Sequence, residues 1–246
     1  MTDNDTDGML QRWATVQARI AAACKRADRD PAEVTVVAVA KGFGPEAVEQ
    51  AARCGIRVIG ENRVQEARQK QAVCSTELEW HFIGHLQSNK ARDAVRLFSM
   101  IHSVDSAELM ERLDRESGEA GRRFQILLQV NVSGERSKFG MKPADMEPVM
   151  ARASGCSNLE VCGLMTVPPF DPDPEASRPF FRALRALRDS MGIGGLGLSM
   201  GMSGDFEVAV EEGARWIRIG RGIFGDRPRK VKPDRAQVPG LEGGET

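Results

Sequence analysis

Lys41 follows directly on the apolar run VVAVA (36–40), so its ammonium leaves a buried strand at the mouth of a cavity. A desolvated amine is the nucleophile that condenses with an aldehyde to give a Schiff base. A lysine that snorkels from a strand end to solvent is the structural alternative. Two glycine-rich turns, GMSGD (201–205) and GRGIFG (220–225), weigh toward chemistry. Glycine lets backbone N–H groups approach phosphate oxygens closely, Ser203 adds a hydroxyl, and a helix starting near Asp205 adds its dipole. Either turn alone reads equally well as an ordinary tight turn; the two together describe a phosphate cradle. His81 and His85 form H-x-x-x-H, but they lie in an extended run, EWHFIGH (79–85). Four residues of strand separate them by about 13 Å, too far to share a metal ion. His85 is then expected to line the mouth and His81 to be a satisfied interior histidine. Glu61 and Asp105 could serve as general bases, although no spacing pairs them with a partner, and lone carboxylates there more often orient a neighbour. The sequence contains no tyrosine, which closes any mechanism needing a phenol.

From residue 34 onward, short runs rich in Val, Ile and Leu alternate with longer amphipathic stretches, the signature of repeated βα units. Eight strand candidates follow: VTVVAVA (34–40), RVIGEN (57–62), EWHFIGH (79–85), MIHSVDS (100–106), FQILLQVNVS (124–133), LEVCGLMTV (159–167), GLGLSMG (195–201) and WIRIG (216–220). Nearly continuous apolar runs suit parallel strands covered on both faces. Between them, stretches such as PEAVEQAARC, AELMERLDRES and RPFFRALRALRDSM return apolar residues at helical intervals. Gly55, Gly118, Gly155, Gly192 and Gly213 suit left-handed C-terminal caps. The predicted fold is α/β, a single (β/α)8 TIM barrel over residues 9–225, with a flexible N-terminus (1–8) and a flexible tail (226–246) rich in Pro, Gly and charge. An extra helix from about Met9 to Ala27 could close the bottom of the barrel or pack on its outside.

Barrel active sites occupy the rim at the C-terminal strand ends, and loops after strands 7 and 8 recurrently bind phosphate. In order, those ends here carry Lys41, Glu61-Asn62, His85, Ser103 to Asp105, Asn131 to Ser133, Met165-Thr166, Met200 to Asp205 and Arg218 to Gly222. The longest internal loop candidate, PPFDPDPEAS (168–177), lies on the same face.

A chain of 246 residues suits one barrel, and with 41% hydrophobic and 28% charged residues it can bury a core without disulfides or metal. A formal charge of −1 gives no electrostatic reason to expect nucleic acid or an anionic membrane as partner. No apolar run approaches the roughly 20 residues of a spanning helix, and the acidic start MTDNDTDG is unlike a signal peptide. Five scattered cysteines without a C-x-x-C pair read as reduced thiols, so a cytoplasmic location is expected.

Seven blocks carry a resemblance: AVAK (38–41), GENRVQE (60–66), WHFIGHLQSNK (80–90), NVSGERSKFGM (131–141), GLMTVPP (163–169), LSMGMSGDFEVAVEEGA (198–214) and IRIGRGIFG (217–225). Together they resemble the pyridoxal phosphate homeostasis proteins, whose barrel is similar to the N-terminal domain of alanine racemase, a fold-type-III arrangement. The resemblance implies pyridoxal 5′-phosphate (PLP) as cofactor, with the Schiff base on Lys41 and phosphate contacts from Ser203 and the backbone of Gly220 and Arg221. It places Arg218 opposite the pyridine nitrogen, and Asn62 and Lys138 in the pocket. Two departures stand out: GFG (42–44) after the lysine, where relatives often have Thr followed by a basic or aromatic residue, and Arg221, where several have Thr. The implied function is PLP homeostasis, buffering or delivering the cofactor, with PLP-dependent apoenzymes as candidate recipients and no efficient catalysis. A monomer is expected. The alternative is a fold-type-III racemase or decarboxylase, but such racemases set a tyrosine opposite the lysine and add a C-terminal β-domain, and this sequence offers neither. A phosphate-binding barrel of unrelated chemistry, with Lys41 structural, ranks below both.

Overall fold

The computed structural model describes residues 3–192 and 195–226. All eight apolar runs form strands: β1 (Thr35–Val39), β2 (Val58–Glu61), β3 (Glu79–Phe82), β4 (Met100–Val104), β5 (Phe124–Gln129), β6 (Leu159–Met165), β7 (Gly197–Met202) and β8 (Trp216–Ile219). They pair in parallel and in chain order, and β8 returns to β1 with Val37 opposite Arg218. Closure leaves no exposed sheet edge. The surrounding helices are α1 (Asp3–Arg26), α2 (Pro45–Arg53), α3 (Val64–Gln71), α4 (Ala91–Leu97), α5 (Ala107–Glu119), α6 (Met146–Ala153), α7 (Arg178–Ser190), α8 (Phe206–Glu211) and α9 (Arg221–Phe224).

Strand side chains alternate between two cores, as the period of two requires. Ala38, Ile101, Ile126, Leu128, Leu164 and Ile217 join the large outer core beneath the helices. Their neighbours Val37, Met100, Leu127, Met165 and Trp216 form a smaller cluster inside the barrel. The inner volume is shared with polar groups: His81, His102, Ser199 and Arg218 are all buried. Trp216 fits because Gly197 has no side chain; a Cβ there would lie 2.4 Å from the indole Cζ3.

Several boundaries differ from the sequence reading. Helix α1 begins at Asp3, not Met9, so the stretch expected to be flexible is helical from residue 3. Near that end Thr6 Oγ1 accepts from Gln50 Nε2 at 3.2 Å. The helix packs outside the barrel, on α8 and α9, and does not plug the bottom. Arg12 Nε donates to Ile223 O at 2.7 Å, and Arg19 and Arg26 pair with Glu207 and Glu211. Strand β5 ends at Gln129, before the expected 133, because Val130 bridges to Met141 and the chain turns away at Asn131. Gly118 lies inside α5, and Gly121 (φ 63°) takes the left-handed position that ends it. Gly155 also lacks a positive φ, whereas Gly55, Gly192 and Gly213 have one. Of the tail expected to be flexible (226–246), all but Asp226 lies outside the described residues. Among the described residues, no helix is long and apolar enough to cross a membrane.

Candidate cofactor-binding site

Lys41 leaves the barrel just beyond β1, and the turn that carries it is fixed from several sides. Ala40 N donates to Gly60 O at 3.0 Å, and Ala40 O accepts from Phe43 N at 3.1 Å and from Lys70 Nζ at 2.8 Å. Gly42 N donates to Glu66 Oε2 at 3.3 Å. Lys70, from α3, also donates to Glu61 Oε1, forming an ion pair buried beneath the turn. Burial pushes the Glu61 carboxyl above its ordinary value, and the hydrogen bond and charge of Lys70 pull it back. Glu61 is therefore a bound structural carboxylate and not the rim base its position suggested. The sequence offered no pairing for it because its partner lies in the last turn of the next helix, at a position where an amphipathic pattern reads lysine as solvent-facing.

The two glycine turns converge beside this lysine. Ala38 is in register with Ile219, so Gly220 and Arg221 rise next to Val39 and Ala40, at the strand end that Lys41 follows. A Cβ on Gly220 would stand 3.6 Å from Val39 O, and Phe43 stacks on Phe224 with centroids 5.1 Å apart. The β7 turn depends on Gly201, whose φ is 89° and whose Cβ would fall 2.5 Å from Ala209 Cβ. Ser203 Oγ accepts from Gly222 N at 3.4 Å and so joins the two turns. The Arg221 side chain is exposed, and its N–H lies in the first turn of α9, where helical acceptors are lacking. Asp205 orders its own loop, accepting from Met202 N at 2.6 Å and from Ser177 Oγ at 2.8 Å.

Around the rest of the rim, Asn62 Oδ1 is buried and has no hydrogen-bond partner among the described residues. Its backbone is pressed against Gly84, where a Cβ would lie 2.3 Å from Asn62 O. His85 Nδ1 pairs with Asp105 Oδ2 at 3.0 Å, and the ring stacks on Phe139 at a centroid distance of 3.9 Å. The loop after β5 thus leans across to β3; Asn131 Nδ2 bonds Glu135 O and Lys138 O within it, and Lys138 Nζ donates to Val167 O at 3.3 Å. Phe170, in the loop after β6, is 86% exposed.

Arg218 points into the barrel. Its Nη1 donates to Ser199 Oγ at 2.6 Å and its Nη2 to Thr166 O at 2.8 Å. Burial draws its pKa down to about 10, with Asp205 acting against the drop, so the guanidinium stays protonated at neutral pH. Sequence reasoning missed three residues around these groups: His102, Ser199 and Lys70. His102 lies between Ser199 (2.8 Å, to Nδ1) and His81 (3.0 Å, from Nε2), and His81 reaches Glu79 Oε1 at 2.8 Å. The signal for His102 was its parity in MIHSV, since Met100 and His102 must face the same side of β4.

This closed parallel barrel matches the family model of the alanine racemase N-terminal domain over residues 13–228. Curated relatives narrow the class. The pyridoxal phosphate homeostasis protein of Aquifex aeolicus is 40% identical over 222 residues, covering 88% of this chain and 97% of the relative. That of Pseudomonas aeruginosa is 42% identical over 220 residues, covering 89% and 96%. The chain belongs to the pyridoxal phosphate homeostasis protein family. Among solved structures, PipY of Synechococcus elongatus PCC7942, determined with PLP bound, is 38% identical with a TM-score of 0.78, over 88% of this chain and all of PipY.

Proposed function

We propose that this protein binds PLP reversibly and buffers or delivers it to PLP-dependent apoenzymes, without efficient catalysis of its own. The observation that carries the reading is the convergence of Lys41 with the Gly220–Arg221 and Ser203 turns through the β1–β8 register. The residues present fit the cofactor. Ser203 and the backbone N–H groups at Gly220 and Arg221 supply donors for a dianionic phosphate. Asn62 Oδ1 is a buried acceptor in need of a partner. Arg218 commits two of its five N–H groups in the hydrogen bonds described above and keeps donors for the ring nitrogen. Loading joins Lys41 Nζ to the aldehyde carbon; one C=N bond forms and one water leaves, and release is the reverse hydrolysis. When bound, PLP can act as an electron sink, but a guanidinium lends its nitrogen a hydrogen bond and not a proton, which weakens that capacity. A monomer in the cytoplasm completes the reading, in keeping with five unpaired cysteines.

Borohydride reduction of PLP-loaded protein followed by peptide mapping tests the reading. A pyridoxyl label on Lys41 is expected; a label mainly on another lysine, or none, refutes it.

A further inference from the structure

Four hydrogen bonds link Arg218 on β8 to Glu79 at the opposite end of the barrel, passing through Ser199 on β7, His102 on β4 and His81 on β3. The three middle groups are no more than 1% exposed, while the Glu79 side chain is 48% exposed where β3 begins. The donors and acceptors fix a direction. A guanidinium only donates, so Ser199 Oγ accepts from Arg218 and its own hydrogen is left for His102 Nδ1. His102 then carries its proton on Nε2 and gives that hydrogen bond to His81 Nδ1. His81 in turn holds its proton on Nε2 and donates to the Glu79 carboxylate.

The reverse direction fits worse. It would put an imidazolium at His81, make Ser199 accept twice, and leave the serine hydrogen without an acceptor in a dry interior, which costs about 1–3 kcal/mol. Burial, and after it the Arg218 charge, hold His102 well below the ordinary histidine value, in agreement with a neutral ring. The groups facing the two imidazoles are Glu79, Ser99 through Glu79, Ser199, Arg218 and the Trp216 ring.

We propose that Ser199, His102 and His81 are positioning residues for Arg218, a one-way hydrogen-bond chain that holds the guanidinium in a single orientation beneath the cofactor ring. The inference rests on the reading that Arg218 meets the ring nitrogen. Its physical basis is that a buried cation, with no carboxylate in ion-pair contact among the described residues and Asp205 acting only from a distance, needs aligned dipoles around it. The chain supplies them and ends on a carboxylate that water can also reach. Among the described residues, the other hydrogen bond that orients the guanidinium is the one from its second terminal nitrogen to the Thr166 carbonyl.

The first test needs neither variant nor cofactor. In PLP-free protein at pH 7, long-range ¹H–¹⁵N correlation spectra report histidine tautomers directly. Both His81 and His102 are expected as neutral rings protonated at Nε2. A His102 ring protonated at Nδ1, or an imidazolium at either site, overturns the chain whatever becomes of PLP binding. The second test is Ser199→Ala, a small truncation, measured with PLP. The pyridoxyl label should remain on Lys41, while the visible absorption maximum shifts and the Kd for PLP rises roughly tenfold, the worth of one hydrogen bond to a charged group. An unchanged spectrum and Kd beside a shifted spectrum in Arg218→Lys shows that Arg218 acts without the chain and refutes the proposal. Loss of the Lys41 label in unmodified protein refutes the cofactor reading instead.

Discussion

Replacing Lys70 with methionine removes the cation under the Lys41 turn at nearly constant side-chain volume. Glu61 is fully buried, and its other oxygen accepts only the Asn62 N–H, at 3.2 Å. Breaking one side of a buried pair typically costs about 3–5 kcal/mol, because the remaining charge has no compensation. Ala40 O loses one of its two donors, so the turn bearing Lys41 also loosens. The pH dependence follows from the Glu61 shift, which burial drives upward and Lys70 restrains. Without Lys70 the folded carboxyl binds its proton still more tightly. A group with a raised folded pKa contributes stability that is present below its unfolded value, about 4.3, and is lost as pH rises through the folded value. Urea unfolding of Lys70→Met should therefore show its largest deficit near pH 8 and a smaller one toward pH 5. Adding Glu61→Gln should recover most of the loss and flatten the pH dependence. A deficit below about 1 kcal/mol at pH 8, or one that does not shrink on acidification, would refute the buried-pair account.

Gly84→Ala should destabilise the protein by about 3 kcal/mol, since the new methyl meets a backbone oxygen that cannot step aside; a normal unfolding midpoint would show that the rim can shift. Arg218→Glu should change the spectrum of bound PLP and its pH response more than its retention, because Ser203 and the glycine turns anchor the phosphate independently; an identical spectrum would place Arg218 away from the ring nitrogen. PLP-loaded protein incubated with L- and D-amino acids should show neither racemisation nor decarboxylation above slow background by chiral analysis and Cα deuterium exchange. Turnover near one per second that disappears in Lys41→Ala would make it an enzyme.

The frame was legible because periodicity reports it. Eight apolar runs became eight strands, and the closing order follows from parallel pairing with short right-handed crossovers. Strand ends are visible for a related reason, so Lys41, Asn62, Ser203, Arg218 and Gly220 could be placed at them from position, while the roles proposed for them toward PLP came from the resemblance. What stayed hidden was contact across the barrel. His102 and Ser199 are 97 residues apart and meet only because opposite strands face each other inside a closed sheet. Lys70 and Glu61 are nine residues apart. Their meeting depends on how α3 is rotated against β2, which a helical pattern with weak apolar bias does not specify. The start of α1 was missed for a third reason, since its first residues are polar and show no apolar period, while Gln50 Nε2 donates to Thr6 Oγ1 at 3.2 Å.

The same contacts bear on why the site would hold a cofactor and not work it. Carbanion chemistry at Cα calls for a protonated ring and a second acid–base group on the face away from Lys41. Arg218, with a pKa near 10, gives up no proton at neutral pH. The rim groups that could serve as the second base are occupied: Glu61 by Lys70, and Asp105 by His85, which is itself stacked on Phe139. Freeing Asp105 means breaking that pair and parting the stack, and aromatic stacking alone contributes about 0.5–1.5 kcal/mol. His81 and His102 cannot substitute, because both are sealed inside the barrel with each nitrogen already bonded. On the proposed reading, an amine on a strand end, a phosphate cradle tied to the same strand pair, and rim carboxylates engaged by Lys70 and His85 favour condensation and hydrolysis over chemistry at Cα.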